Sequence, residues 1–422
     1  MLTRFWIIWI SYWMIFIIQP IESIYGEINY ALSIQFLFAI CFSLAYKLIP
    51  SKFVKSKKCE PLFSNPKTTK KYLRFCIYLS MIGLLALIID KVAIQGIDFS
   101  QGFSVAREQW KTFGEERDGS ISSIFSVLGY LLGNSYFLAV ILLMKRSVKL
   151  PNSTRIRFFF IVFTISLING LITGGRSNIF LMIAFMVSSY FSDSRLPSEK
   201  LFNKIQYRIT IRALIISLLI YLLLVFVWRS QASDQHIVLY ANHILNFLGL
   251  SQDKWFEDFC SNTPIIGSIL AVINLGFSYL THSLSTTVKL LSSPVEDKVI
   301  IFNYFYSLLS RLGVEISVDT DWILVGRFPS LPGAVYYQYS FLGTCLFAII
   351  LGYLAKISYI LMKKNKGSYL NFFLSHFIET ISLLSPFLCA VDILSYPFAF
   401  ISIFICWPAV YNRKGKVISS AH

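Results

Sequence analysis

A polytopic, all-α integral membrane protein is predicted by three features of this sequence. The chain has 422 residues, 55% of them hydrophobic and only 14% charged, against roughly 25% charged in an ordinary soluble domain. Its mean hydropathy is +0.63. Apolar runs recur at close to the length of about 20 residues that a bilayer-crossing helix needs, whereas a transmembrane barrel would show short alternating segments. Basic residues gather in alternate connections between those runs.

In chain order the apolar runs occupy about 5–19, 28–46, 75–89, 121–144, 158–172, 178–192, 211–227, 333–361, 369–390 and 393–411, which predicts ten spans. The first, "FWIIWISYWMIFII", has only Arg4 before it and no small-residue cleavage site after it, so it reads as a retained helix rather than a signal peptide. The chain then divides into a membrane bundle over 1–227 with an outer loop at about 90–120, a large outer loop over 228–332, and a second bundle over 333–422.

The net charge of +16 is an orientation signal. One set of alternate connections holds 26 basic residues opposed only by Glu60, Asp193 and Glu199; the other holds 11 basic and 18 acidic residues. Lysine and arginine accumulate on the cytoplasmic side of membrane helices, which predicts that both termini are cytoplasmic. This distribution argues against a nucleic-acid footprint. The seven cysteines form no framework: Cys59 falls on the cytoplasmic side, Cys260 in the large outer loop, and the rest in or beside spans, so no structural disulfide is expected. No zinc or haem motif is present either, and no cofactor is expected.

Two apolar stretches interrupt the large loop, "PIIGSILAVINLGFSYL" and "VIIFNYFYSLLSRLG". Together they would raise the span count to twelve and preserve the topology; one alone would place the Lys363–Lys366 cluster outside. The connecting segment carries no positive bias, which favours helices that lie on or dip into the outer face, where they are tolerated if buried in protein. No internal repeat is evident, which argues against a secondary transporter.

Single arginines recur on the outer side, at points where the chain enters or leaves the membrane. Arg176 follows Gly174 and Gly175 in "LITGGRSNIF", Arg229 ends span seven, Arg327 precedes span eight, and Arg107 lies in the first loop. A guanidinium offers a rigid fork of donors suited to diphosphate. The glycines let backbone approach a ligand, and the N-terminus of span six adds a positive dipole end. The alternative for each arginine is that it snorkels or pairs with an outer acid. His282 in "YLTHSLSTTVKLL" is either a proton acceptor or a satisfied structural histidine. His236 and His243 are a weaker pair. Asp319 and Asp321 imitate the Asp-x-Asp of metal-dependent sugar transferases but read as a solvated acidic loop, and no metal is expected. His376 and Glu379, three apart, share a helix face and read as packing glue or a proton path, the former preferred.

Together these pieces resemble one family. "LITGGRSNI", "YLTHSLSTTVKLL" and "DTDWI" followed by "YYQYSFLGTCLFAIILGYL" resemble, in order and spacing across about residues 160–360, the bacterial O-antigen polymerases, also called oligosaccharide repeat-unit polymerases. Ser283 stands where glycine commonly follows the histidine. The resemblance implies a glycosyltransferase-C-like fold in the inner membrane, with its active site facing the periplasm. It implies metal-independent transfer of a growing polysaccharide from undecaprenyl diphosphate onto a new lipid-linked repeat unit. His282, Arg176 and Arg229 would be catalytic, with Gly174, Gly175, Arg327, Arg107 and Asp234 binding substrate. The implied partners are undecaprenyl-diphosphate-linked oligosaccharides, membrane lipids, a chain-length regulator and a repeat-unit flippase, and no nucleic acid. The alternatives are an O-antigen ligase and, ranked third, a flippase, which would carry short outer loops and charges within spans.

Overall fold

In the computed structural model, residues 1–50, 62–101, 123–145, 150–173, 177–192, 235–293, 328–364 and 367–410 are described, with a few isolated positions between them. The elements in order are α1 (Leu2–Ile18), β1 (Ile21–Ser23), α2 (Asn29–Leu48), α3 (Pro66–Ile89), α4 (Ile124–Gly133), α5 (Tyr136–Met144), α6 (Asn152–Ile172), α7 (Ser177–Ser192), α8 (Ile237–Phe247), β2 (Leu250–Gln252), α9 (Lys254–Asn262), α10 (Pro264–Thr281), α11 (Ser283–Leu291), α12 (Leu331–Lys364), α13 (Tyr369–Leu384) and α14 (Ser395–Cys406).

The fold is a helical membrane protein. Among the described residues, six helical stretches are long and apolar enough to cross a bilayer: 29–48, 66–94, 124–144, 152–172, 264–281 and 331–364. Side-chain exposure gives the same assignment physically. On α1, Phe5, Trp9, Tyr12 and Phe16 are buried at helical spacing, while Ile7, Ile10, Ile17 and Ile18 on the opposite side are all more than half exposed. A soluble monomer rarely shows apolar patches beyond a few hundred Å². Here both faces of the helix are apolar, so one packs on protein and the other suits lipid.

Expectation and structure differ in several places. The runs at 5–19, 178–192 and 393–411 form apolar helices shorter than 18 residues, and the run at 369–390 stops as a helix at Leu384. The run at 211–227 lies mostly outside the described residues. The run at 121–144 is broken at Asn134–Ser135 into α4 and α5, with the Asn134 side-chain amide donating to the Tyr130 carbonyl at 2.8 Å. α12 is interrupted at Ser340, whose φ of 56° and ψ of −165° place it in a region nearly confined to glycine. The stretch at 264–281, expected to be a helix that lies on or dips into the outer face, is an 18-residue helix; at 1.5 Å per residue it reaches about 27 Å, a length compatible with a crossing as well. Composition could not separate a crossing helix from a surface helix, because both are apolar. Two three-residue strands accompany the helices of this all-α fold. β1 pairs antiparallel with β2, Ile21 opposite Gln252, and ties the end of α1 to the 235–293 region.

Two apolar cores result. The larger joins α1–α3 and α5–α7 with α12–α14, and within it Phe5 stacks on Phe42 at 4.2 Å. The smaller gathers Tyr12 and Phe16 of α1, Phe226, and residues of α8 to α11. Phe387 packs against both cores. At the opposite end, Arg155 is buried and donates to the carbonyls of Leu143, Lys145 and Val148, which satisfies the open C-terminus of α5.

Close packing of α3 on α4 depends on Gly83 and also on Gly129, where an added Cβ would meet the Leu87 side chain at 2.5 Å. A Cβ on Gly83 would overlap the backbone of Gly133. A Cβ on Gly133 would instead sit 3.7 Å from its nearest neighbours, in ordinary contact. Gly83→Ala is therefore expected to destabilise by about 1–3 kcal/mol and Gly133→Ala to be nearly neutral, read by thermal melting in detergent. Equal melting shifts for the two variants would show that the helices separate freely.

Candidate functional site

Three breaks in helical structure meet around His282. The first is the junction of α10 and α11, where His282 is at once the C-cap of one and the N-cap of the other. The second is the segment 328–330 that leads into α12. The third is the turn after α13. The Leu331 amide donates to the Ser385 carbonyl at 2.9 Å, and the Cys389 amide to the Pro329 carbonyl at 2.8 Å. The Ser283 hydroxyl donates to the Pro386 carbonyl at 2.6 Å, and the hydroxyls of Thr287 and Ser330 are 2.8 Å apart. Backbone freed at helix ends within an apolar bundle must find partners, and here the amides and carbonyls of the facing segments and the Ser283 hydroxyl supply them.

His282 itself is only 2% exposed. The Phe328 amide donates to Nε2 at 3.4 Å, so Nε2 is an acceptor and the proton sits on Nδ1, which lies 2.9 Å from the Tyr279 carbonyl. Nε2 therefore carries the basic lone pair, held by a long bond to the residue that follows Arg327. The Tyr279 ring meets the imidazole edge-on at 5.9 Å and the Phe226 ring at 5.2 Å. Tyr12 reaches in from α1; its hydroxyl is 2.7 Å from Ser283 Oγ and 3.2 Å from the Thr281 carbonyl. Gln19, just past α1, accepts from the Thr281 hydroxyl at 2.7 Å.

Arg107, Gly174, Gly175, Arg176, Arg229, Asp234 and Arg327 lie outside the described residues, as do Asp319 and Asp321. Several of their chain neighbours are described. Phe328, next to Arg327, bonds His282; Phe226, three before Arg229, touches Tyr279. Ser230 and Gln235, which follow Arg229 and Asp234, are bonded twice: the Gln235 amide donates to the Ser230 carbonyl at 3.1 Å and the Ser230 hydroxyl to the Gln235 carbonyl at 2.6 Å. α7 begins at Ser177, directly after Arg176, as the glycine-arginine turn predicts. Its Asn178 bonds Asn169 of α6 at 2.7 Å and accepts from Ser395 at the start of α14. In the first loop, Gln109, two residues beyond Arg107, accepts from the Asp98 amide at 2.9 Å.

The remaining histidines play other parts. His236 is exposed and caps α8 by accepting from the Val238 amide; His243 is exposed on the helix, so the two do not form a site. Glu379 pairs with Arg4 across the bundle at 2.5 Å, and His376 Nδ1 lies 2.7 Å from the Phe372 carbonyl of its own helix, which makes this pair a tie between α13 and α1.

Sequence reasoning missed Tyr12, Ser330 and the 385–389 turn. Tyr12 sits mid-run among residues that all read as lipid or core. A signal for the polar seam was present: "THSLSTT" places five hydroxyls around a histidine, and all five are buried.

Among the described residues no cluster of three or more His, Cys, Asp or Glu is placed to hold a metal ion, and the six described cysteines are free thiols. A comparison with protein-family models, with curated proteins and with solved structures found no match.

Proposed function

We propose that this protein is a membrane glycosyltransferase that polymerises polyprenyl-diphosphate-linked oligosaccharide repeat units at the outer face of the bacterial inner membrane. The observation that carries the reading is the convergence on Tyr279 and His282 of Phe226 and Phe328, the chain neighbours of Arg229 and Arg327, inside an apolar bundle. A base and two guanidinium-bearing segments meeting where helices break suits a lipid diphosphate donor that approaches from the bilayer.

The chemistry runs as a single displacement. The acceptor hydroxyl displaces the Phe328 amide from His282 Nε2. Its oxygen attacks the anomeric carbon, its proton passes to Nε2, and the bond from that carbon to the diphosphate oxygen breaks. The charge that develops on the diphosphate is taken up by the arginines, whose forked donors suit such a leaving group. The donor arrives already activated, so no nucleotide is consumed.

A strain lacking this protein tests the reading through its surface polysaccharide. Single repeat units in place of a ladder are the expected result. Finished polymer left on its lipid carrier would replace the polymerase with a ligase, and the absence of outward-facing units would replace it with a flippase.

A further inference from the structure

A cleft of about 660 Å³ opens at the N-terminal end of α3, far in sequence from the His282 seam. It falls within the roughly 300–1,000 Å³ range of small-ligand sites. Lys67, Lys70, Lys71 and Arg74 line one side, spaced so that they share a helix face. Pro408 and Ala409, just past α14, form the other wall. All four basic side chains are exposed, and none forms an ion pair with a described residue. Asn65 caps this helix end by accepting from the Lys67 amide at 2.8 Å, so the positive end of the helix dipole points the same way.

The same stripe changes character one turn further on. Phe75 and Tyr78 complete the cleft. Met81, Ile82 and Leu85 continue beyond it, each more than half exposed. From Lys67 to Leu85 the stripe therefore reads basic, then aromatic, then aliphatic over about 27 Å. An ion or a soluble acidic peptide would use only the first third. An amphiphile with a phosphate head and an acyl chain matches all of it. Basic clefts between membrane helices recognise anionic head groups in this way.

We propose that this cleft binds an anionic glycerophospholipid, its phosphodiester on the Lys67–Arg74 face and an acyl chain along Met81–Leu85. The site is separate from the candidate active site and needs no catalytic reading.

The test uses the purified full-length protein in neutral detergent, titrated with phosphatidylglycerol, phosphatidylcholine or inorganic phosphate, and read by native mass spectrometry and thermal melting. Phosphatidylglycerol is expected to form retained one-to-one adducts and to raise the melting temperature. Phosphatidylcholine and phosphate are expected to do neither. Replacing Lys67, Lys70, Lys71 and Arg74 by glutamine should weaken phosphatidylglycerol binding about tenfold or more. The control Lys363→Gln/Lys364→Gln, which removes charge elsewhere, should leave it unchanged. Should the fourfold variant fail to fold, Arg74→Gln alone and a salt titration of the wild-type protein give the same reading, since the attraction is screened by salt. Equal binding of phosphatidylcholine, equal stabilisation by phosphate, or undiminished binding in the variants would overturn the assignment.

Discussion

Arg176→Ala and Arg229→Ala are each expected to abolish chain elongation while the protein remains folded in the membrane. The proposed step releases a diphosphate, and a carbon–oxygen bond to diphosphate breaks readily only if the new charge is met by donors already in place. Loss of one such donor typically costs about 10²–10³-fold in rate. Bonds between described neighbours of the two arginines are expected to hold the local structure in the variants. Arg229 is followed by Ser230, which bonds Gln235 through both its carbonyl and its hydroxyl, and neither bond uses an arginine side chain. α7 starts at Ser177 and is anchored by Asn178 to Asn169 and Ser395, again without Arg176. Lysine should rescue poorly at either site, because it offers a point charge in place of a planar fork. Chain-length ladders from complemented strains decide the matter: normal ladders from both lysine variants would show that charge alone is enough.

The second large effect is expected at His282. A group that takes the proton of an attacking hydroxyl usually contributes about 10²–10⁴-fold, and His282→Gln should lose that much. Glutamine is a demanding replacement. It is close in volume, and its side-chain oxygen can accept from the Phe328 amide as Nε2 does at 3.4 Å, so the seam between α10, α11 and α12 stays closed. A purely structural histidine would thus be replaced almost silently. The measurement is polymerisation by purified protein with lipid-linked repeat units, over roughly pH 5.5 to 8.5, the range in which imidazole changes charge. Wild-type activity should fall toward the acid end as the base is protonated, and the residual activity of the variant should lack that limb. A variant with the wild-type rate and profile would remove His282 from the chemistry and turn attention to Asp234.

Tyr12→Phe offers a milder comparison at the same seam. It removes the bonds to Ser283 Oγ and the Thr281 carbonyl while keeping the ring that meets Phe387 edge-on at 5.3 Å.

How much of this was legible in advance depends on the length scale of the signal. The membrane class was, because about 20 apolar residues in a row have one good solvent, and the starts of α2, α6 and α7 fall within a few residues of where the apolar runs predict or, for α6, one to two turns earlier. The start of α7 was also legible, since two glycines and an arginine between apolar runs announce a helix start. His282 was legible as a polar exception, and its neighbouring hydroxyls were in plain view.

Helix breaks were not legible. Asn134–Ser135 and Ser340 look like ordinary polar residues in apolar runs, and nothing local distinguishes a break from a solvated helix position. Nor could composition show that Arg4 meets Glu379 or that Tyr12 belongs beside Ser283. Hydropathy, charge bias and local turn chemistry are properties of a short window of chain, so the sequence by itself determined the membrane class, most of the helices and the residues worth testing. Which helix ends meet is a property of packing between segments hundreds of residues apart, such as the 375 positions that separate Arg4 from Glu379. Only the tertiary structure decided that. Inside an apolar bundle every freed amide and carbonyl must find a partner, and that requirement gathers the breaks at 282, 328–330 and 385–389 into one seam.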